Sequence, residues 1–319
     1  MEALKVQLKH ELRRFEATPN SIETVFIGGG TPSTVSQELY KPIFELLKPY
    51  LGKSIEITSE ANPNSATKEW LKGMYSLGIN RISFGVQSFD EEKLKLLNRA
   101  HTPQMAITAI NNAKEIGYKN LSLDLIYATL GDTKKLLSKD IKMAFTLPIN
   151  HISAYALTIE EGTAFESKPQ MSSEQLELTS WIFDTIKKHG FEQYEISNFG
   201  SYQSDHNKGY WLYKDYMGVG AGAVGKHQLS RYYPTSIIEE YIKNPLDIRE
   251  EILEDEDKKT EQLFLGFRSC VGVEKNLLSA NELKQAEILL DENKLTLEEN
   301  TFYNSNYLLA DEIALFISS

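Results

Sequence analysis

A strand that runs into three glycines is the segment of this sequence with the clearest chemical meaning. Residues 24–33 read Thr-Val-Phe-Ile-Gly-Gly-Gly-Thr-Pro-Ser, so an apolar run ends directly at Gly28, Gly29, Gly30 and Thr31. Glycine lacks a Cβ and adopts positive φ, so the backbone N–H groups of such a loop stay open to a ligand. The segment predicts a binding site for a small polar molecule. A tight turn that needs glycine for steric reasons is the alternative.

Polar side chains also end the next three predicted strands. They are Glu60, Gln87 and Asp124, and Arg99 and Tyr155 lie in neighbouring segments. A carboxylate accepts hydrogen bonds from an ammonium group or a ribose hydroxyl, and a charge-assisted bond of this kind contributes roughly 1.5 to 3 kcal/mol. A guanidinium forms a planar fork around a carboxylate. The structural alternatives are helix capping for the two acids, a surface ion pair for Arg99 and core packing for Tyr155.

The elements that position these residues alternate between strands and helices. Predicted strands cover residues 23–27, 54–59, 81–86, 121–126, 151–157 and 193–196. Predicted helices between them cover residues 36–50, 67–77, 91–97, 104–116, 134–145 and 172–189. Strands separated by helices of this length pair in parallel as right-handed βαβ units. The sequence therefore predicts an α/β fold, an open or closed βα barrel whose C-terminal rim carries the binding residues.

Both ends of the chain depart from this alternation. Residues 2–16 predict an amphipathic helix before any strand, which indicates a barrel without its first strand or, alternatively, a cap helix. Sequence rich in aromatic residues and glycine follows residue 200 and predicts irregular strands and turns. Two helices, a strand pair at residues 295–303 and a last helix predict a winged-helix-like α+β domain. The predicted parts are a barrel at residues 1–200, a connecting segment at 201–255 and a C-terminal domain at 256–319.

Composition limits the class of partner. The 319 residues are 41% hydrophobic and 25% charged, as in ordinary globular proteins. A net charge of −11 argues against nucleic acid or an anionic membrane as the main partner. The sequence contains no apolar run of about 18 residues and does not open like a secretory signal, so we expect a cytoplasmic protein. Its single cysteine, Cys270, is predicted to be a small buried hydrophobe.

Six motifs follow one another along the chain: Gly-Gly-Gly-Thr-Pro-Ser at 28–33, Glu-Ala-Asn-Pro at 60–63, Gly-Val-Gln-Ser-Phe at 85–89, Arg-Ala-His at 99–101, Asp-Leu-Ile-Tyr at 124–127 and Tyr-Glu-Ile-Ser-Asn-Phe at 194–199. This ordered set resembles the radical S-adenosylmethionine (SAM) family of oxygen-independent coproporphyrinogen III oxidases, and more closely its heme-chaperone branch. The resemblance implies a partial βα barrel with SAM along its rim. Gly29, Gly30 and Thr31 would lie near its methionyl part, and the rest would be lined by Glu60, Gln87, Arg99 and Asp124.

The sequence departs from that family at the iron-sulfur site. The family holds a 4Fe-4S cluster on three cysteines spaced Cys-x3-Cys-x2-Cys, whereas Cys270 is the one cysteine here. One thiolate cannot replace three, and without the cluster no electron source exists for cleaving SAM. We expect an N-terminally truncated chain, for example from a late start codon; a real loss of the redox part is the alternative. No catalytic residue is assigned.

A second candidate site lies at residues 206–211, which read His-Asn-Lys-Gly-Tyr-Trp. A neutral imidazole is an axial ligand of heme iron, and neighbouring aromatic rings offer flat apolar surface. The motif resembles the His-Asn-x-x-Tyr-Trp sequence of the heme-chaperone branch, which implies His206 as an iron ligand; a structural turn is the alternative. The family commonly has histidine where this chain has Val224. Four other histidines show no metal-ligand spacing and are predicted to be structural: His101, His151, His189 and His227.

The function predicted from these features is a heme chaperone that delivers heme to an acceptor protein. One alternative is oxidative decarboxylation of coproporphyrinogen III, which needs the cluster segment. Another is an inactive fragment that associates with itself through an exposed barrel edge at residues 24–27.

Overall fold

Strands and helices alternate through the computed structural model of the chain, which describes residues 1–159, 162, 165–173 and 176–319. The α-helices are α1 (Glu2–Arg14), α2 (Lys41–Leu47), α3 (Lys68–Ser76), α4 (Glu91–Leu96), α5 (Pro103–Ile116), α6 (Lys134–Ala144), α7 (Leu176–Lys188), α8 (Asp205–Trp211), α9 (Ile238–Lys243), α10 (Asp255–Phe267), α11 (Ala280–Asp291) and α12 (Ala310–Ser318). The strands are β1 (Ile22–Ile27), β2 (Leu51–Ala61), β3 (Arg81–Gln87), β4 (Asn120–Tyr127), β5 (His151–Ala156), β6 (Glu192–Gln193), β7 (Asn198–Gly200), β8 (Gly225–His227), β9 (Ser230–Pro234), β10 (Ile248–Ile252), β11 (Val273–Glu274), β12 (Leu295–Glu298) and β13 (Thr301–Asn304).

The main sheet has the strand order β1-β2-β3-β4-β5-β7-β6. Strands β2 to β5 pair in parallel, as predicted, and β1 forms one edge of the sheet. The prediction was wrong for the last strand: β6 ends at Gln193, and the chain turns back to insert β7 between β5 and β6, antiparallel to both. Self-association through β1 stays a prediction.

Side-chain caps begin the helices that follow the site-bearing strands. Thr67, Asp90, Thr102 and Thr133 each accept a backbone N–H in the first turn of α3, α4, α5 and α6. Such caps satisfy donors that have no partner inside the helix. The single helix predicted at residues 36–50 was wrong, because short 3-10 turns flank α2. Pro42 and Pro49 lack the N–H that a longer helix would need there.

The C-terminal part combines α10 to α12 with a small antiparallel sheet of order β11-β13-β12. Its apolar core includes Leu263, Phe267, Leu289, Phe302 and Ile313. This agrees with the predicted winged-helix-like α+β arrangement. The expectation of irregular strands and turns after residue 200 was wrong in part, because α8 forms there.

The described chain divides into two compact units. One comprises Met1–Glu23, Leu39–Ile55 and Ser204–Ser319, and the other comprises Thr24–Glu38 and Glu56–Gln203. The second unit contains the predicted rim residues and the first contains His206. The domain boundaries at residues 200 and 255 stay a prediction. Within the described residues, no helix combines the length and the apolar character needed to cross a bilayer.

A buried ion pair fixes α4 to the loop after β4. Lys93 Nζ lies 2.7 Å from Asp132 Oδ1 and donates to the Ile126 carbonyl, also at 2.7 Å. The two charged side chains are 3% and 2% exposed.

We predict that Lys93→Met lowers the free energy of unfolding by about 3 to 5 kcal/mol, because it leaves the Asp132 carboxylate buried without its cation. Urea denaturation measures this loss. The exposed pair of Lys68 and Glu115 provides the control, since its side chains are 48% and 62% exposed. Lys68→Met should change stability by less than about 1 kcal/mol. Equal losses in the two variants would contradict the prediction.

Candidate functional site

One face of the parallel strands β2 to β5 carries a polar side chain at almost every second residue. The strand register places Thr58 beside Arg81, Ser83 beside Ser122 and Asp124 beside Ser153. Because side chains alternate across a strand, the same face also bears Glu56, Glu60, His151 and Tyr155. The opposite face bears buried apolar side chains: Ile82, Phe84, Leu121, Leu123 and Ile152. The candidate site therefore lies on the polar face.

The glycine loop meets this face at Glu60. Gly29 has φ +98°, and a Cβ added there would find no heavy atom within 4 Å, so this backbone faces open space. A Cβ on Gly28 would lie 2.5 Å from the Phe26 ring and 3.1 Å from the Glu60 carboxyl. The Gly29 N–H donates to the Glu60 carboxylate. The steric interpretation of the loop therefore applies to Gly28, and ligand binding at Gly29 stays a prediction.

Hydrogen bonds hold the loop after the glycines to the end of β2. The Asn62 N–H donates to Ser33 Oγ at 2.9 Å, and Asn62 Nδ2 donates to Thr31 Oγ1 at 3.3 Å. Gln87 lies near the same amide, since Asn62 Oδ1 and Gln87 Nε2 are each 3.2 Å from the point where a Cβ on Gly85 would sit. Gln87 has φ +67° at a register shift of β3, a left-handed conformation that is uncommon without glycine.

Glu60 and Asp124 form the acidic part of the site. Burial raises the pKa of Glu60 to about 7, the nearby Asp124 charge acts in the same direction, and the Gly29 N–H opposes them. Burial also raises the pKa of Asp124 to about 6, against hydrogen bonds from Ser153 and Ser83 and the positive charge of Arg81. An ammonium or sulfonium cation between these carboxyls would favour their ionised forms.

Arg99 and Tyr155 complete the group around Asp124. Burial lowers the pKa of Arg99, and the Asp124 charge opposes that shift. Within the described residues, the buried Arg99 Nε has no hydrogen-bond partner, so an acceptor on a ligand would satisfy it. The Tyr155 side chain is 43% exposed and shares the Ser153 hydroxyl with Asp124. These contacts suit a molecule that carries an ammonium group, a carboxylate and hydroxyls.

A buried hydrogen-bond network that was not predicted from the sequence also lies on the polar face. His151 Nδ1 lies 2.7 Å from Ser122 Oγ, and its Nε2 lies 2.6 Å from the Tyr194 hydroxyl. Burial, assisted by the Arg81 charge, lowers the pKa of His151 well below its usual value, so the ring is neutral. Parallel strands that are covered by helices on both faces are usually continuous runs of apolar residues. Strand β3 instead alternates polar and apolar residues in Arg-Ile-Ser-Phe-Gly-Val-Gln, and this alternation was the signal for a polar face.

His206 lies on α8, which begins after Ser204 accepts the Asn207 N–H. The imidazole Nε2 is 3.1 Å from the hydroxyl of Tyr210, one helical turn later, and the two rings meet edge to face. Both side chains are partly exposed, so the pair can be reached from solvent. This pair belongs to the unit that does not contain the rim residues.

The described residues do not fit a 4Fe-4S cluster. They contain no group of three or more His, Cys, Asp or Glu arranged to hold a metal ion. Cys270 is half-buried rather than buried as predicted. One cysteine cannot supply the three thiolates of a cluster.

We predict that Glu60 makes the folded state less stable as pH rises. A carboxyl whose pKa is higher in the folded than in the unfolded chain keeps its proton longer when folded, so stability is greatest at low pH and falls as pH rises through about 7. Urea denaturation of wild type should therefore show a loss between about pH 5 and pH 8 that is smaller in Glu60→Gln. The exposed residue Glu69 supplies the control Glu69→Gln, which should follow wild type. Parallel pH profiles for wild type and Glu60→Gln would contradict the prediction.

Comparison with known proteins agrees with the fold and the motifs. Residues 4–144 match the family model described as the Radical SAM superfamily. The heme chaperone HemW of Lactococcus lactis subsp. lactis (strain IL1403) is 32% identical over 287 residues, which cover 86% of this chain and 75% of that protein. HemW of Bacillus subtilis (strain 168) is 34% identical over 272 residues, which cover 80% and 72%.

A solved structure supports the fold independently. Coproporphyrinogen III oxidase (HemN) from Escherichia coli, a radical SAM enzyme, superposes with a TM-score of 0.82 over 100% of this chain and 82% of that chain. At 17% identity this likeness shows the fold alone, and it confirms the predicted α/β architecture. The motifs, the fold and the curated relatives agree, and the chain belongs to the heme chaperone HemW family of the Radical SAM superfamily.

Proposed function

We propose that this protein binds heme through His206 and passes it to an acceptor protein in the cytoplasm. The observation that carries this proposal is the partly exposed His206 and Tyr210 pair on α8, in a chain that belongs to the HemW family. Heme is the cargo here. Its transfer needs no radical and no bond cleavage within the porphyrin, so the missing cluster ligands do not oppose it.

The chemistry of the pair suits reversible iron binding. When the Tyr210 hydroxyl donates to Nε2, the proton of the neutral imidazole lies on Nδ1. The lone pair of Nε2 is then the one that an iron ion would use, and the hydroxyl occupies it until the ligand arrives. Heme binding through Nε2 therefore requires that this hydrogen bond break.

The polar face of β2 to β5 fits SAM. Its ammonium and ribose hydroxyls would meet Glu60 and Asp124, its carboxylate would satisfy the buried Arg99 Nε, and its methionyl part would lie along the open backbone of Gly29 and Gly30. Gln87, Thr31 and Tyr155 border the same space. When bound, SAM would supply a sulfonium cation with activated carbon–sulfur bonds. The chain's own residues bind and orient it.

The oxidase alternative is not supported by the residues present. Oxidative decarboxylation by the radical route needs an electron from a 4Fe-4S cluster, and this sequence supplies one cysteine instead of three. Similarity of fold does not fix a reaction. We therefore propose SAM binding without assigning a redox step to this chain.

We predict that His206→Ala loses the Soret-band shift that ferric heme undergoes on binding to wild type, with heme affinity reduced by roughly tenfold or more, because the iron loses its ligand. A spectrophotometric heme titration measures both effects. The exposed residue His189 supplies the control: His189→Ala should match wild type. Spectra of His206→Ala that equal those of wild type would remove His206 from the heme site.

A further inference from the structure

A half-open cavity of about 380 Å³ lies beside α8, in the same unit as His206. Four of its eight lining residues are aromatic, namely Tyr210, Tyr213, Tyr216 and Phe264. Tyr210 is also the residue whose hydroxyl meets His206 Nε2, and its ring packs edge to face on Tyr216 at 4.8 Å. Tyr210 therefore both lines the cavity and contacts the His206 imidazole.

The two cations of this cavity are already paired. Arg231 Nη2 donates to both carboxylate oxygens of Glu261 at 2.7 Å, and the Tyr213 hydroxyl donates to the same carboxylate at 2.7 Å. Lys226 Nζ lies 2.7 Å from Asp215 Oδ1 and 4.4 Å from the centre of the Tyr213 ring. Glu261 in the lining neutralises Arg231, and Asp215 neutralises Lys226 from outside the lining. The cavity therefore offers aromatic surface without a net charge that would attract an anion.

We infer that this cavity binds the apolar, vinyl-bearing edge of a planar protoporphyrin and rejects porphyrins that carry carboxylates on every side. Protoporphyrin has its two propionates on one edge and methyl and vinyl groups on the other. The apolar edge gains contact with the tyrosines and Phe264 and demands no counter-ion. This inference rests on the proposed heme function and specifies the substrate class of that site.

Coproporphyrin lacks such an edge because each of its four pyrrole rings carries a propionate. A propionate that entered this cavity would lose its hydration without gaining a free counter-ion, because Arg231 and Lys226 are already paired with Glu261 and Asp215. Its reduced form, coproporphyrinogen, has saturated bridges and is not planar, so it also stacks poorly. Discrimination arises from an unfavourable contact for one ligand as well as a favourable contact for the other.

Metal-free porphyrins test the inference, because without iron the His206 ligand has no role. Fluorescence titration of wild type should give an affinity for protoporphyrin IX at least about tenfold higher than for coproporphyrin III. His206→Ala should retain this preference. Equal affinities, or tighter binding of coproporphyrin III, would overturn the inference even if iron ligation by His206 had been established. Loss of the His206 heme signal with the porphyrin preference intact would instead reject only the iron ligand.

A charge variant tests the role of Glu261. Glu261→Gln releases Arg231 to pair with a propionate, so coproporphyrin III should bind about tenfold more tightly than to wild type, with protoporphyrin IX little changed. Glu287→Gln makes the same change of charge at an exposed position of α11 and should leave both affinities at wild-type values. An unchanged affinity of Glu261→Gln for coproporphyrin III would overturn the proposed exclusion.

A substitution at the apolar residue Leu265 tests whether the porphyrin binds in this cavity. Leu265 lines the cavity, and Leu265→Glu places a new carboxylate there. Protoporphyrin IX should then bind at least about tenfold more weakly. Unaltered binding by a variant with a wild-type circular dichroism spectrum would place the porphyrin elsewhere and overturn the inference. If this variant fails to fold, the comparison of the two porphyrins on wild type still decides the question.

Discussion

Parallel pairing of β2 to β5 in a fixed register is the constraint on which the candidate site depends. Side chains alternate across each strand, so one register places Ile82, Phe84 and Leu123 on one face and Ser83, Asp124 and Ser153 on the other. A shift by one residue would bury the polar set among the apolar contacts. Packing of the apolar face therefore fixes the positions of the side chains on the polar face. A change in core packing would also change the candidate ligand site.

Burial dominates the electrostatics of the polar face. It is the largest cause of the raised pKa values of Glu60 and Asp124 and of the lowered pKa of Arg99. Hydrogen bonds from Ser153, Ser83 and the Gly29 N–H offset part of this effect. Charges held in this way respond strongly to an incoming ion, because the protein has already removed much of the water that would screen it.

The sequence predicted strands β1 to β5 well, because runs of apolar residues with polar ends are a local signal. The role of the rim residues as a ligand site stays a prediction. The sequence did not predict β7, whose three residues pair with β5 over a long separation and show no periodicity of their own. Helix α8 was also missed, since Gly209 disfavours helix and the Ser204 cap decides the outcome. The Arg231 and Glu261 pair joins residues 30 positions apart, a distance at which charge patterns along the sequence carry no information.

The hydrogen bond between His206 and Tyr210 affects the release of heme in the proposed function. An imidazole without a hydrogen-bond partner in the heme-free protein would bind iron with higher affinity and release it more slowly. If His206 binds heme iron as proposed, the Tyr210 hydroxyl re-forms its hydrogen bond to Nε2 when heme leaves, and that bond returns about 0.5 to 1.5 kcal/mol. This arrangement slightly lowers the affinity of the protein for heme and so favours transfer of heme to an acceptor protein that binds it more strongly.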